Sequence, residues 1–182
     1  MATDYPSLTK LFLEAVDRFA NPRAQMYRAE AGWQPIAAGE MLRRVAGLAR
    51  ALAELGIQPG DRVGLFAPNC PEWHSVDFAI QGLGAVDVPI YFKESADHIA
   101  YILNDSAARI IITAGEAQAR QIAEIRPRLP WIEHVICAGA PADLAGDFLR
   151  YEPLVATAGD QDVAEYRRRA GEVKAEQLAT II

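Results

Sequence analysis

The stretch RVGLFAPNCPEWHSVDFAIQGLGAVDVPIYFKESADHIAYILNDSAARIIIT runs from Arg62 to Thr113 and decides the fold. It contains three apolar runs, Arg62–Ala67, Ala85–Tyr91 and Arg109–Thr113, each short enough and rich enough in β-branched residues for a buried strand. Between the first two, Asn69 is predicted to cap a helix, with Glu72 reaching back to the cap amide. Pro71 is tolerated in that first turn, where amides have no helical partner. Trp73, Val76, Ile80 and Leu83 then form a buried stripe. Between the second and third runs, SADHIAYILNDS (Ser95–Ser106) places Ile99, Ile102 and Leu103 on another helix. Apolar strands separated by helices predict βαβ units. The fold class is therefore α/β, with a largely parallel, doubly wound sheet flanked by helices on both faces.

Outward from this stretch the pattern continues. EAQARQIAEIRPRL (Glu116–Leu129) is a predicted helix that Pro127 ends, and HVICA (His134–Ala138) is a fourth strand. AGAPADLAGD (Ala138–Asp147) reads as loop, and DVAEYRRRAGEV (Asp162–Val173) as helix. On the other side, Leu8, Leu11, Phe12, Ala15, Val16 and Phe19 recur at helical spacing until Pro22. AQMYRAEAGWQPI (Ala24–Ile36) reads as a hairpin turning at Ala31-Gly32, with Tyr27 and Trp33 as cross-strand aromatics. Met41, Leu42, Val45, Leu48, Leu52 and Leu55 define a further helix, and Gly56 stands where a left-handed C-terminal cap belongs. The chain closes on KAEQLATII, whose Leu178–Ile182 reads as a final strand.

Composition narrows the function. The 182 residues carry a net charge of −6, which argues against nucleic acid as the main partner. The cluster Arg167-Arg168-Arg169 lies beside Glu165 and Glu172 and reads as a solvated helical face. Cys70 and Cys137 have neither CxxC spacing nor a paired His, which fits a reducing compartment better than a disulfide framework. The leader MATDYPSLTK lacks a basic region followed by an apolar stretch, and no apolar run nears the ~18 residues that span a bilayer. The expected location is cytoplasmic.

Catalytic motifs are scarce. Gly82-Leu83-Gly84 ends a helix and opens a strand, the reverse of the dinucleotide-binding order. There is no GxxxxGK[ST] phosphate loop and no GxSxG elbow. His74 and Asp77 stand three apart and can meet on one helical face, but no nucleophile accompanies them. His98 and His134 flank a helix stripe and a strand start. Tyr91 and Phe92 lie just past a strand's carboxyl end, the edge where open parallel sheets bind ligands. They serve there either as core closure or as part of a site.

One constellation is more specific. Gly60-Asp61-Arg62-Val63, Asn69, Pro71-Glu72-Trp73, Gly84-Ala85-Val86, Val88-Pro89-Ile90-Tyr91, Tyr101-Ile102-Leu103 and Ser106 occur in an order and spacing that closely resembles the N-terminal region of the adenylate-forming enzymes. Among these AMP-dependent synthetases and ligases, the chain looks most like the long-chain fatty-acid–CoA ligases. Two departures stand out. Ala37-Ala38-Gly39-Glu40-Met41 lacks the Ser or Thr and aromatic that usually precede the second helix, and Glu176-Gln177 replaces an acidic pair before LATI.

The resemblance implies an incomplete part of the family's large N-terminal domain. Its expected division is residues 1–58 as leading helices and hairpin, 59–140 as βαβ core, and 141–182 as irregular segment and final strand. It implies a parent enzyme that activates a fatty acid with Mg-ATP, releases pyrophosphate from the acyl-adenylate, and lets CoA displace AMP. Its partners are those small molecules, in the cytosol or at the membrane surface. In the family a YTSGTTG loop follows directly on LATII, so the chain stops just before that chemistry. No residue here matches a phosphate, magnesium or thiol-transfer role. The catalytic, cofactor-binding and metal assignments are therefore none, with ATP, Mg2+ and CoA belonging to the parent, none expected bound here, and the isolated chain expected to be inactive. An unpaired final strand leaves homo-oligomerisation open. The rival reading is a stand-alone flavodoxin-like α/β binding or interaction module.

Overall fold

Five short strands run side by side and parallel in a computed structural model that describes residues 7–144 and 146–182. Most of the leader reading falls on residues 1–6, outside the described residues, as does Ala145 in the predicted loop. The strands are β3 (Arg62–Phe66), β4 (Val86–Ile90), β5 (Ile110–Ala114), β6 (His134–Ala138) and β7 (Phe148–Arg150). They lie in the order β4-β3-β5-β6-β7, which is the flavodoxin-like order counted from β3. Gly64 faces both Val88 and Ile111, and Ile112 faces Ile136.

The sheet is buried on both faces because its connections are helical. On one face lie α1 (Leu8–Phe19), α2 (Ala38–Glu54), α3 (Pro71–Gly82), α6 (Tyr151–Ala156) and α7 (Asp160–Glu172). Their core includes Leu48, Leu52, Val63, Leu65, Ile80 and Tyr166. On the other lie α4 (Ala96–Asp105) and α5 (Glu116–Ile125), which close over Phe66, Ile99, Leu103, Ile111 and Ile122. The doubly wound prediction is the observed arrangement.

Local chemistry sets the helix ends. α2 starts at Ala37 without a side-chain cap, as the missing Ser or Thr predicts, and the Ala38 amide donates instead to the Asn21 carbonyl at 2.9 Å. At its far end Gly56 takes φ +87 and Ile57 donates back to Leu52, a Schellman stop. The cap of α3 differs from the prediction. Cys70, not Asn69, is the N-cap, no side-chain cap bond forms, and Pro71 occupies the first turn. Ser95 does cap α4, accepting from the His98 amide at 3.3 Å. A 3-10 turn over Arg126–Arg128 ends α5 at Pro127.

Four further departures appear. The hairpin β1 (Gln25–Ala29) with β2 (Gly32–Ile36) turns at Glu30-Ala31, so Gly32 opens the second strand at φ +104. Tyr27 then faces Gln34 and Trp33 faces Arg28, so the two aromatics are not a cross-strand pair. In α1, Phe12 and Val16 are buried, Phe12 stacking on Phe78 of α3 at 4.1 Å, while Leu8, Leu11 and Phe19 remain exposed. β7 and α6 lie inside the segment read as irregular. The closing stretch makes one parallel bridge, Thr180 to Asp87, rather than a full strand.

At the amino-terminal edge of the sheet Arg109 gathers several elements. Its guanidinium bonds Asp61 and the Gly56 carbonyl, and it grips Glu133 through two bonds of 2.9 Å. The Arg109 guanidinium holds Glu133 below the usual carboxylate range.

Candidate functional site

Ligands of open parallel sheets bind beyond the carboxyl ends of the strands, where the strand order reverses. That point lies here between β3 and β5. Gly115 leaves β5 at φ +96, a conformation that favours glycine, and its amide donates to Ala138 at 3.0 Å. The loop after β4 is held from α5: Gln118 donates to the Phe92 carbonyl at 3.3 Å and Gln121 to that of Glu94 at 2.9 Å. This leaves Tyr91, 59% exposed, edge-on to Phe92 with ring centres 5.0 Å apart. The Tyr91–Phe92 pair therefore lines the surface of the edge rather than closing the core.

Beside the β3 exit a cleft of about 850 Å³ opens between the hairpin and the start of α3. Its walls include Met26, Tyr27, Trp33, Met41, Cys70 and His74. Apolar and sulfur-bearing side chains there alternate with Gln25, Arg28, Asn69 and Glu72, so the walls are mixed in polarity. Burial pushes the Cys70 thiol up to about 11, so it stays protonated at neutral pH and is a poor nucleophile. Burial likewise raises Cys137 and the Tyr151 hydroxyl.

The histidines do not form a catalytic pair. His74 is exposed, and Asp77 turns from it toward Gln81 and Asp87. His98 Nδ1 lies 2.7 Å from Glu94 across the first turn of α4, on the surface. His134 opens β6. Among the described residues no group of three or more His, Cys, Asp or Glu side chains stands close enough to hold a metal ion. The Arg cluster is paired: Arg168 and Arg169 bond Glu165, and Arg167 reaches across to Asp17 of α1 at 2.6 Å. Glu165 is held near 2 by those two guanidinium groups.

What sequence reasoning missed is Asp87, a carboxyl in an otherwise apolar strand with 1% exposure. The interruption in AVDVPIY was its visible signal.

The carboxyl edge thus offers walls and anchored loops, which is how a part of a larger binding domain would look. The chain belongs to the AMP-binding enzyme family, whose sequence profile matches residues 12–182. It is 31% identical over 150 residues to the long-chain-fatty-acid–CoA ligase FadD15 of Mycobacterium bovis, covering 82% of this chain and 24% of that protein. The acetoacetyl-CoA synthetase of Streptomyces lividans superposes with a TM-score of 0.74 at 25% identity, over 84% of this chain and 25% of the synthetase. The chain therefore spans about a quarter of the length of these relatives. A different relative is short: the uncharacterized protein Rv1549 of Mycobacterium tuberculosis is 28% identical over 131 residues, 70% of this chain and 73% of that protein. No helix of the described residues is long and apolar enough to cross a membrane.

Proposed function

We propose that this chain is the leading α/β unit of an acid–thiol ligase that joins a long-chain fatty acid to CoA through an acyl-adenylate. The observation that carries the reading is its likeness, over most of its length, to a ligase named for that substrate. Making the mixed anhydride requires positive groups and backbone amides around the phosphates. The described part of the sheet edge supplies pinned loops and a cleft of mixed polarity. The Thr180 bridge runs parallel to β4, so the chain leaves toward the carboxyl edge, where such a phosphate-binding apparatus would belong.

The parent would use ATP, Mg2+ and CoA, in the cytosol or at a membrane surface. Within the unit, residues 1–58 and 141–182 would support the 59–140 core. Alone, the chain should not catalyse adenylation. Fatty-acid-dependent ATP–pyrophosphate exchange by the purified 182-residue chain is expected to equal the no-enzyme background, and exchange above it overturns the inactivity claim.

A second reading is favoured by the short relative, which is 28% identical to this chain over 131 residues, 73% of its own length. In that reading the unit is a stand-alone binding or interaction module. The codons after Ile182 discriminate: a stop codon supports the module, whereas codons for Tyr-Thr-Ser-Gly support the ligase.

A further inference from the structure

Two carboxyl groups meet inside the sheet face covered by α3. Asp77 projects from α3 and Asp87 from β4, and their side chains are in hydrogen-bond contact. An ionised carboxylate only accepts hydrogen bonds, so two carboxyls in contact inside a protein share a proton. The neighbours say which side holds it. Gln81 Nε2 donates to Asp77 Oδ1 at 2.5 Å, a bond that offsets part of the rise burial imposes on Asp77 and that Asp87 lacks. Asp87 Oδ1 is buried with no partner, an environment that suits the carbonyl oxygen of a neutral acid and penalises a carboxylate.

Among the described residues neither carboxyl has a salt bridge. His74 of α3, when protonated, favours the charged form of Asp77, and Tyr166 of α7 faces it with a hydroxyl already donating to the Phe78 carbonyl at 2.8 Å. β3 sets Val63 opposite Asp87. Thr9 of α1 and Lys174, just past α7, line with Gln81 a cavity of about 110 Å³.

The same Asp87 holds the end of the described chain. Its amide donates to the Ala179 carbonyl at 2.9 Å, and its carbonyl accepts from the Ile181 amide at 3.0 Å. Little else secures this stretch, since Leu178, Ile181 and Ile182 are exposed.

We propose that Asp77 and Asp87 form a one-proton latch: the Ala179–Ile181 stretch stays seated on β4 while the pair keeps its proton and is released when the proton passes to solvent. No covalent bond changes. Deprotonation leaves two negative charges in contact at low dielectric, and the weakly held outer stretch is the element free to yield and admit water.

The direction follows from linkage. Burial, then the neighbouring Asp77, pushes Asp87 up to about 8, against 3.8 for a free side chain. Between those values the closed state binds more protons than the open or unfolded state, so its stability falls as pH rises and levels off above the upper value.

The test uses the 182-residue chain, following side-chain carboxyl 13C shifts and amide-exchange protection at Asp87 and Ile181 from about pH 5 to about pH 9. One carboxyl should titrate near 8. Protection of the two amides should fall by up to about tenfold per pH unit below that point, while the Ile112 amide in central β5 keeps its protection. Asp87→Asn should make the Ile181 protection independent of pH. Two carboxyls that both titrate near 4, or equal slopes in wild type and Asp87→Asn, overturn the latch. Should the variant fail to fold, the wild-type carboxyl titration decides alone. No ligase activity is read, so the outcome is separate from the proposed function.

Discussion

The two faces of the sheet are built on the same device and differ in what the device holds. Each has a glycine that seats a large side chain from a helix. On the α4/α5 face Gly64 leaves room for Leu103 and Ile111, whose methyl groups would lie 2.7 Å from an added Cβ. On the opposite face Gly82 leaves room for the Tyr166 ring, which an added Cβ would meet at 2.1 Å. The first seat is wholly apolar. The second sits beside polar groups: half-buried Asp77, buried Gln81 and Asp87, and the Tyr166 hydroxyl. The first seat is stabilised by apolar burial, and the second also holds polar groups whose hydrogen bonds are only partly satisfied.

Substitutions can break or sharpen that contrast. The largest effect is expected from Leu103→Ala, which empties a fully buried site and should lower unfolding free energy by about 3 kcal/mol in a urea titration. Gly82→Ala comes next. An alanine in a helix gains about 1 kcal/mol over glycine, but the rigid ring cannot retreat, and a net loss of about 2 kcal/mol is expected. Gly64→Ala meets only flexible methyl ends and should lose about 1 kcal/mol; a loss equal to that of Gly82→Ala would remove the distinction between the seats. Tyr166→Phe should have the smallest effect, about 1 kcal/mol or less, because it removes one hydrogen bond and keeps the ring.

The same contrast explains what could be read from sequence. β3 to β6 and the helices between them were legible because each is an apolar run or stripe bounded by local turn chemistry. β7 and α6 were not. They are three and six residues long, too short for periodicity to register, and they take their shape from β6 and α2. The α3 cap was misplaced by one residue because Pro71 fixes the start of the helix more firmly than an Asn69 side chain. At the candidate site, spacing suggested His74 for Asp77, whereas Asp77 is bonded by Gln81 one turn on and meets Asp87, brought over by the packing of α3 on β4. A one-dimensional pattern records helix neighbours and does not record which strand a helix will cover.

The bridge at Thr180 has a bearing on crowding and assembly. Val86 turns its amide toward β3, taking the Asp61 carbonyl at 2.8 Å, so alternation points Asp87 and Pro89 outward along β4. The Asp87 amide is occupied by Ala179, and Pro89 has none to give. Within Val86–Ile90 the outer flank therefore offers an incoming chain no free donor, and a flank without donors is a poor template for another strand. The Ala179–Ile181 stretch touches the sheet at a single residue, next to a proline, and between them they occupy or remove the donors a further strand would use.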